Sequence, residues 1–545
     1  MLKNCLIIIC SLCFLYSDEI DISNFYNPTL NSPCITLDPT YGTAYYFNQY
    51  NSNVLLDYQI LDIRINGSVS DPVGNYIISP FFKTFIKDTL SSTAFEHNRG
   101  DYAYNENIIF INNKYENNLS SFFMAQSKKY NGLQSIDSNS DVLQNYFLNI
   151  SKDYFSSSNT LSGNISTSLM YHKENVTIPL NTGSYNRDSE GFLSGFSINS
   201  SYADFMKVKI SNSFQLNREH SDLGNYSDKY NHWFDLVFNL NLNEYIDIIS
   251  GYNREDGSYD TETDQLDLLY DRVVLDKFFL TSQLYYNKFV FGLTMLMFNQ
   301  KNDLINRDFD FKSPKLNFNL TYNFNDNFTF NLDRITYSFL DNFSDNILFD
   351  VTSLKVQYNN SFLKLMFEPF ELTSYVYNPE LLTESNLDKE GKITGVNTLV
   401  SFKNNYIIGE VKSSIYGINS IYNSYSISPI NFYSNYSILF APQIGKKRFR
   451  PFIGLNGVFM NLNGGRSYID INSDGNFPFF NKNENSGLQK KTLLANIQLG
   501  IIVKQFKISY HFTNPMNRNV LFSFSDSYQS IAPFSKLQVT WQFLD

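Results

Sequence analysis

The chain is short of cysteine, of charge and of long apolar runs, and each shortage removes a class of protein. Three of its four cysteines (Cys5, Cys10, Cys13) lie in the first 13 residues, and Cys34 alone follows. Without that leading stretch, no intrachain disulfide is possible. Charged residues make up 17% of the chain, below the usual share of about a quarter. The formal net charge of -11 argues against a nucleic-acid partner, which would require a basic stripe, and fits loops displayed outside a cell. The five histidines are His97, His172, His220, His232 and His511. None has a Cys, Asp or His at metal-ligand spacing, and no nucleophile-elbow, zinc-protease or phosphate-loop motif occurs. His511, within an alternating strand, reads as a wall residue. Neither an enzyme nor an obligatory cofactor is expected. Beyond residue 17 no stretch reaches the roughly 18 apolar residues of a membrane helix. A chain that spans a membrane without such helices must close into a β-barrel, because open sheet edges are not tolerated in lipid.

Aromatic side chains are abundant. They form 17% of the chain, with 50 Phe and 39 Tyr but only 2 Trp, which excludes a disordered chain. Asn and Ser supply most of the polarity. The N-terminus reads as a secretory signal over residues 1–17: Lys3 supplies the positive charge, Cys5–Tyr16 is a short apolar core, and cleavage is expected near Ser17.

The dominant pattern is strict alternation. Leu537, Val539, Trp541 and Phe543 fall on one face of the last segment, with Lys536, Gln538, Thr540 and Gln542 on the other. Leu316–Phe324 and Phe328–Leu332 behave in the same way on either side of an Asn325-Asp326-Asn327 turn. Such segments run about 9–13 residues, the reach of a tilted membrane strand, against about 5–6 for soluble strands. Aromatics crowd the segment ends, as in an interfacial girdle. Short turns are expected near Lys114, Tyr202, Asn243, Asn287, Asp326, Asn359, Asn404, Gly445 and Lys504. Between them lie longer polar connections, among them Lys173–Asp188, Asn253–Asp271 and Asn463–Gly487. This rhythm predicts an all-β transmembrane antiparallel barrel over residues 89–545. Counting back from the C-terminus to Leu90 gives roughly 22 strands, within about 18–24. The proline-rich segment 18–88 is read as periplasmic or lumenal, a possible reduced plug. Both termini are expected in the periplasm and the long loops outside the cell, in the outer membrane of a Gram-negative cell.

Three stretches resemble the barrel of TonB-dependent outer-membrane receptors. Ser91–Gly132 resembles that family's opening strands, with a tip at Gly100. Ser313–Tyr337 is similar to its mid-barrel hairpin. Gln505–Phe543 is similar to its penultimate and closing strands. The resemblance implies receptor-like or porin-like transport of a solute, and partners in the barrel-assembly machinery, a TonB-type energy protein or a surface lipoprotein. The family's plug domain is longer than residues 18–88, so the plug is reduced or missing here. The alternative is a structural or interaction barrel that displays loops or anchors a partner without transport.

Two local features carry chemistry. Asp470, Asn472, Asp474 and Gly475 copy the opening half of a calcium loop, although an Asn/Asp-rich turn accounts for the same residues. Trp541 and Phe543, on the apolar face of the last strand, are expected to be its assembly signal. The acidic run from Glu255 to Asp271 and the basic run from Gly445 to Arg450 are both read as solvated.

Overall fold

The computed structural model describes two short strands, Ile35–Leu37 and Ala44–Tyr46, and most of residues 92–544. Within the latter it leaves out 102, 131–140, 157–159, 181–182, 204, 222–225, 264–265, 303–306, 311–313, 339–347, 378–386, 419–429, 445–448, 463–490 and 514–533. The short strands pair antiparallel with each other. The remaining long strands form one closed antiparallel barrel of 22 strands, as the alternation predicts.

In chain order the wall begins with β1 (Ser92–Gly100), β2 (Asn105–Lys114), β3 (Leu119–Tyr130), β4 (Asp141–Phe155), β5 (Leu161–Leu180), β6 (Gly183–Tyr202) and β7 (Met206–Ser221). It continues with β8 (Tyr226–Asn243), β9 (Ile246–Thr263), β10 (Leu266–Tyr286), β11 (Phe289–Asn302), β12 (Lys315–Asn325), β13 (Phe328–Ser338), β14 (Leu348–Asn359) and β15 (Leu363–Tyr377). It ends with β16 (Leu387–Lys403), β17 (Ile407–Ile418), β18 (Ile430–Phe440), β19 (Phe449–Leu462), β20 (Lys491–Val503), β21 (Phe506–Thr513) and β22 (Phe534–Leu544). A four-residue strand, Arg307–Asp310, folds back on β11. Closure comes from β22 pairing with β1, from Phe543↔Thr93 to Lys536↔Gly100. The three stretches that resemble receptor strands are β1–β3, β12–β13 and β21–β22.

Ten short connections gather at one end of the barrel, and the sequence anticipates nine of them. Their chemistry explains why asparagine marks so many. The Asn404 side-chain oxygen accepts from the amides of Tyr406 and Ile407 at 2.7 and 2.8 Å. Asn325 does the same for Asn327 and Phe328, and Asn360 for Phe362 and Leu363. A short side-chain amide imitates a backbone turn, which longer residues cannot do. Asn287 opens a two-residue turn at φ 51°, the left-handed geometry that matches strand twist. The turn missed lies between Phe155 and Leu161, where a run of Ser residues has no Asn-led signature.

The outer face of the wall is apolar. On β11 it carries Phe289, Phe291, Leu293, Met295 and Met297, each between 38% and 45% exposed. Exposed aromatics ring the short-turn end: Tyr115, Phe155, Tyr202, Phe205, Tyr245, Tyr286, Phe324, Phe362 and Tyr406. A second ring lies farther along the strands, where Tyr146 packs on Tyr171 and Tyr252 on Phe278. Apolar residues between two aromatic rings are the signature of a wall facing lipid.

Six in-strand glycines each lie directly opposite a large side chain that covers them: Gly163 by Tyr154, Gly251 by Phe279, Gly395 by Phe370, Gly409 by Phe402, Gly454 by Gln498 and Gly500 by Phe452. An added Cβ at any of them would come within 2.2–2.6 Å of a neighbouring atom. The glycine leaves that space open, and the cross-strand side chain fills it.

Two expected loops are strand. Lys173–Asp188 lies within the β5–β6 hairpin, whose strands are both 20 residues long. Asn253–Asp271 lies within β9–β10, of 18 and 21 residues. Both read as polar connections because, past the second aromatic ring, neither face of the hairpin needs to be apolar. Asn463–Gly487, Asp470, Asn472 and Asp474 lie outside the described residues, as do residues 18–34, 38–43 and 47–88 of the N-terminal segment.

Candidate functional site

Alternation places every second side chain inside the barrel, and the lumenal set mixes a hydrogen-bonded polar majority with apolar residues such as Met124, Leu296 and Phe370. On β4–β6, Asn149 donates to Ser168 at 2.6 Å, and the Ser166 and Ser197 hydroxyls lie 3.0 Å apart. On β7–β9, Ser211 donates to Asp235 at 2.9 Å and Asn253 bonds the same carboxylate. On β14–β16, Lys355 pairs with Glu368 at 3.3 Å, and Asn397 donates to that carboxylate at 3.2 Å. Asn, Ser and Thr suit this face because they hydrogen-bond across strands without carrying charge into a low-dielectric wall.

The densest network lies where the two ends of the wall meet. Glu106 on β2 accepts from Asn98 at 2.9 Å, from the Tyr104 hydroxyl at 2.6 Å and from Gln126 at 2.7 Å. Glu96 on β1 accepts from Asn98 at 2.8 Å and from Gln538 on β22 at 2.5 Å. Gln538 also meets Ser509 and His511 of β21 at 3.1 and 3.0 Å. Two ammonium groups balance the carboxylates: Lys507 lies 5.5 Å from the Phe452 ring centre and Lys536 lies 5.7 Å from that of Tyr104. Buried charge is tolerable only when its partners are fully placed, and here five strands supply them. This network ties the chain's first strands to its last. The sequence showed the inward row of β22 but not what faces it, because the partners lie more than 400 residues away.

His511 is a wall residue, as expected, 1% exposed. Arg450 is a correction. The sequence places it at the end of a solvated basic run, but it points inward, 2% exposed, and donates to the Asn405 carbonyl at 2.7 Å and to Gln443 at 3.4 Å. At the start of β19 this arginine meets the Asn404 turn of another hairpin, a contact that no local pattern announces. Trp541 and Phe543 face outward, 48% and 37% exposed, with ring centres 4.4 Å apart. Trp541 also meets Phe506 edge-on at 6.2 Å. Among the described residues no group of three His, Cys, Asp or Glu side chains could hold a metal.

At the opposite end from the short turns, β9 and β10 rise past the Tyr252–Phe278 pair and their outward face becomes charged. Arg272 grips Asp256 through two bonds, 3.0 and 2.7 Å, and Arg254 reaches Asp256 and Asp276 at 3.6 Å. The Arg272 guanidinium holds the Asp256 carboxyl below its ordinary value. Part of the acidic run is therefore an ion-paired ladder on strands. On the tall β5–β6 hairpin, Tyr171 donates to Glu190 at 2.8 Å.

No protein-family profile matches the sequence. No curated protein matches it either. Solved structures do match in shape. The FrpB iron transporter of Neisseria meningitidis (F5-1 variant, apoprotein form) superposes with a TM-score of 0.63 at 10% identity, covering 84% of this chain and 81% of that one. The alcaligin outer-membrane receptor FauA of Bordetella pertussis gives 0.60 at 11% identity, covering 83% and 76%. FpvA of P. aeruginosa, solved as a pyoverdine–Fe complex, gives 0.62 at 10%, covering 83% and 72%. The barrel has the fold of TonB-dependent outer-membrane receptors. At these identities the likeness is one of fold.

Proposed function

We propose that the chain is an outer-membrane transport barrel of the receptor type, with its short turns and both termini in the periplasm and its tall hairpins outside the cell. A closed 22-strand wall with an apolar outside and a hydrogen-bonded polar inside supports this reading. The neighbours in shape are described as an iron transporter and siderophore receptors, so iron chelates are the first solutes to test. In this reading residues 18–88 act as a reduced plug, since a barrel of this width needs its lumen occluded. A TonB-type energy protein is the partner expected at the N-terminus.

Uptake of radiolabelled ferric chelates by cells with and without the gene tests transport; equal uptake across a panel of chelates would remove iron from the proposal. Deleting Asp18–Ile65 behind an intact signal should raise single-channel conductance and antibiotic sensitivity. Conductance that is already large and unchanged by the deletion would instead describe an open pore. Cysteine at Asn404 should label only from the periplasm and at Ser258 only from outside; labelling at the opposite faces would invert the topology.

A further inference from the structure

One stretch of the lumenal wall is apolar and closed off. Ile408 on β17, Leu439 on β18 with Ala441 just after it, Phe452 on β19 and Ile502 on β20 form one cluster, none of them more than 6% exposed. Exposed Ile415, Phe440, Ile453 and Leu499 fix the outward faces of the same strands, so the cluster points inward. It lies at the short-turn end: Ile408 follows the Asn404 turn, and Ile502 precedes the turn at Lys504. In register, Ile408 stands opposite Leu439, and Ile502 stands between Arg450 and Lys507. The wall is a single layer of strands. The apolar face of a sheet is buried against a second layer, so burial this complete calls for a cover on the lumen side.

The same stretch holds buried hydrogen-bonding atoms that the described residues do not engage. Arg450 is held by the Asn405 carbonyl and the Gln443 side chain, both neutral, and its Nε has no partner. The Lys507 ammonium lies over the Phe452 ring. Farther into the barrel on the same inward rows, both side-chain amide atoms of buried Asn456 and the side-chain oxygen of buried Gln498 are also without partners. Unpartnered buried polar groups are costly, and a buried cation is costlier still. The cover that fits is apolar in part, brings a carboxylate to the cations, and offers N–H and C=O groups to the amides. An extended apolar peptide bearing acids does all three. In the N-terminal segment, residues 54–65 read VLLDYQILDIRI, apolar around Asp57 and Asp62, whereas the apolar stretch 76–86 has Lys83 as its only charge. The chain enters the wall at Ser92, at the same short-turn end. Residues 66–91 can span about 85 Å when extended, against about 15 Å from β1 across β22 and β21 to β20.

We propose that the inner face of β17–β21 is the docking site of residues 54–65, pairing Asp57 and Asp62 with Arg450 and Lys507. The proposal rests on the reduced-plug reading and gives the plug its seat. The test places photo-cross-linking benzoylphenylalanine at Phe452, in full-length protein in outer-membrane vesicles, and maps the linked peptide by mass spectrometry. Illumination should join position 452 to residues 54–65. The same substitution at Phe147, a buried aromatic on β4, should not. D57N/D62N, which leaves the wall untouched, should lower the yield at 452 several-fold. A link from 452 to residues 76–86 or to a separate protein, no link at all, equal linking from 147, or an unchanged yield in D57N/D62N would each overturn the docking site. Heat-modifiable gel mobility checks that the barrel is folded; if the Phe452 variant fails that check, the substitution at Ile408 is read in its place against the same outcomes. The conductance of protein lacking residues 18–65 separates the two ways to fail. A rise without the cross-link removes the docking site alone, whereas unchanged conductance without the cross-link removes the plug reading with it.

Discussion

The flank β5–β10 and the seam formed by β21, β22, β1 and β2 solve the same problem in different ways. Strands of the tall flank run 16–21 residues; those of the seam run 8–11. A tilted strand needs about 9–11 residues to cross a bilayer, so the seam is nearly all crossing and the flank is about half projection. The inner faces differ as well. The flank lines the lumen mostly with Ser, Thr and Asn, set around Asp235 and Lys277, and its charged ladder stands outside the band, in water. The seam carries Glu96, Glu106, Lys507 and Lys536 on its inner face. Length above the membrane costs little, because polar side chains there remain solvated. Charge inside the wall must be matched partner by partner.

The largest expected effect falls on the seam. Replacing Trp541 and Phe543 with Asp puts two charges on its lipid face; the cost depends on depth, reaching about 2–4 kcal/mol for Lys or Arg at the midplane and less for Asp. Membrane levels of the folded barrel should drop several-fold by heat-modifiable mobility, and normal levels would remove these residues as an assembly signal. Next comes Glu106→Leu, which leaves the buried donors of Asn98, Tyr104 and Gln126 without their carboxylate. The loss should be about 2–4 kcal/mol in denaturant unfolding, with Glu106→Gln recovering much of it; equal midpoints for the two variants would show that packing, not hydrogen bonding, sets the cost.

On the tall flank the effects should be small. Asp256→Asn breaks a half-exposed ion pair worth less than about 1 kcal/mol and should leave barrel levels unchanged. Because Arg272 lowers the Asp256 pKa, the pair's contribution is complete above the carboxylate's ordinary value of 3.8 and disappears as pH falls through the lowered folded value. Proteolysis of the hairpin by an acid protease should therefore increase only below that range, and the response of Asp256→Asn should be flat with pH. A hairpin equally sensitive at neutral pH would show that the ladder holds nothing.

The alternation, the turn chemistry and the aromatic rings are local properties, so the chain announces them. A period of two fixes which side chains share a face, as in Leu537–Phe543, and Asn at 325 and 404 marks turns because its own side chain makes them, while Asn287 takes the left-handed backbone its turn needs. That is why the barrel, its strand number and nine of ten short turns could be read directly. Three things could not. The β5–β6 and β9–β10 hairpins look like loops because alternation fades once both faces meet water. Arg450 looks solvated because its shorter bond, to the Asn405 carbonyl, crosses to another hairpin. The seam network is invisible because Glu96 and Gln538 are 442 residues apart and meet only when the barrel closes. The sequence by itself determined a closed membrane wall and its rhythm, since both follow from hydrogen-bonding and solvation rules that act over a few residues. Which charges are buried and which strands rise above the band were decided by the tertiary structure, because each depends on what closure places beside them.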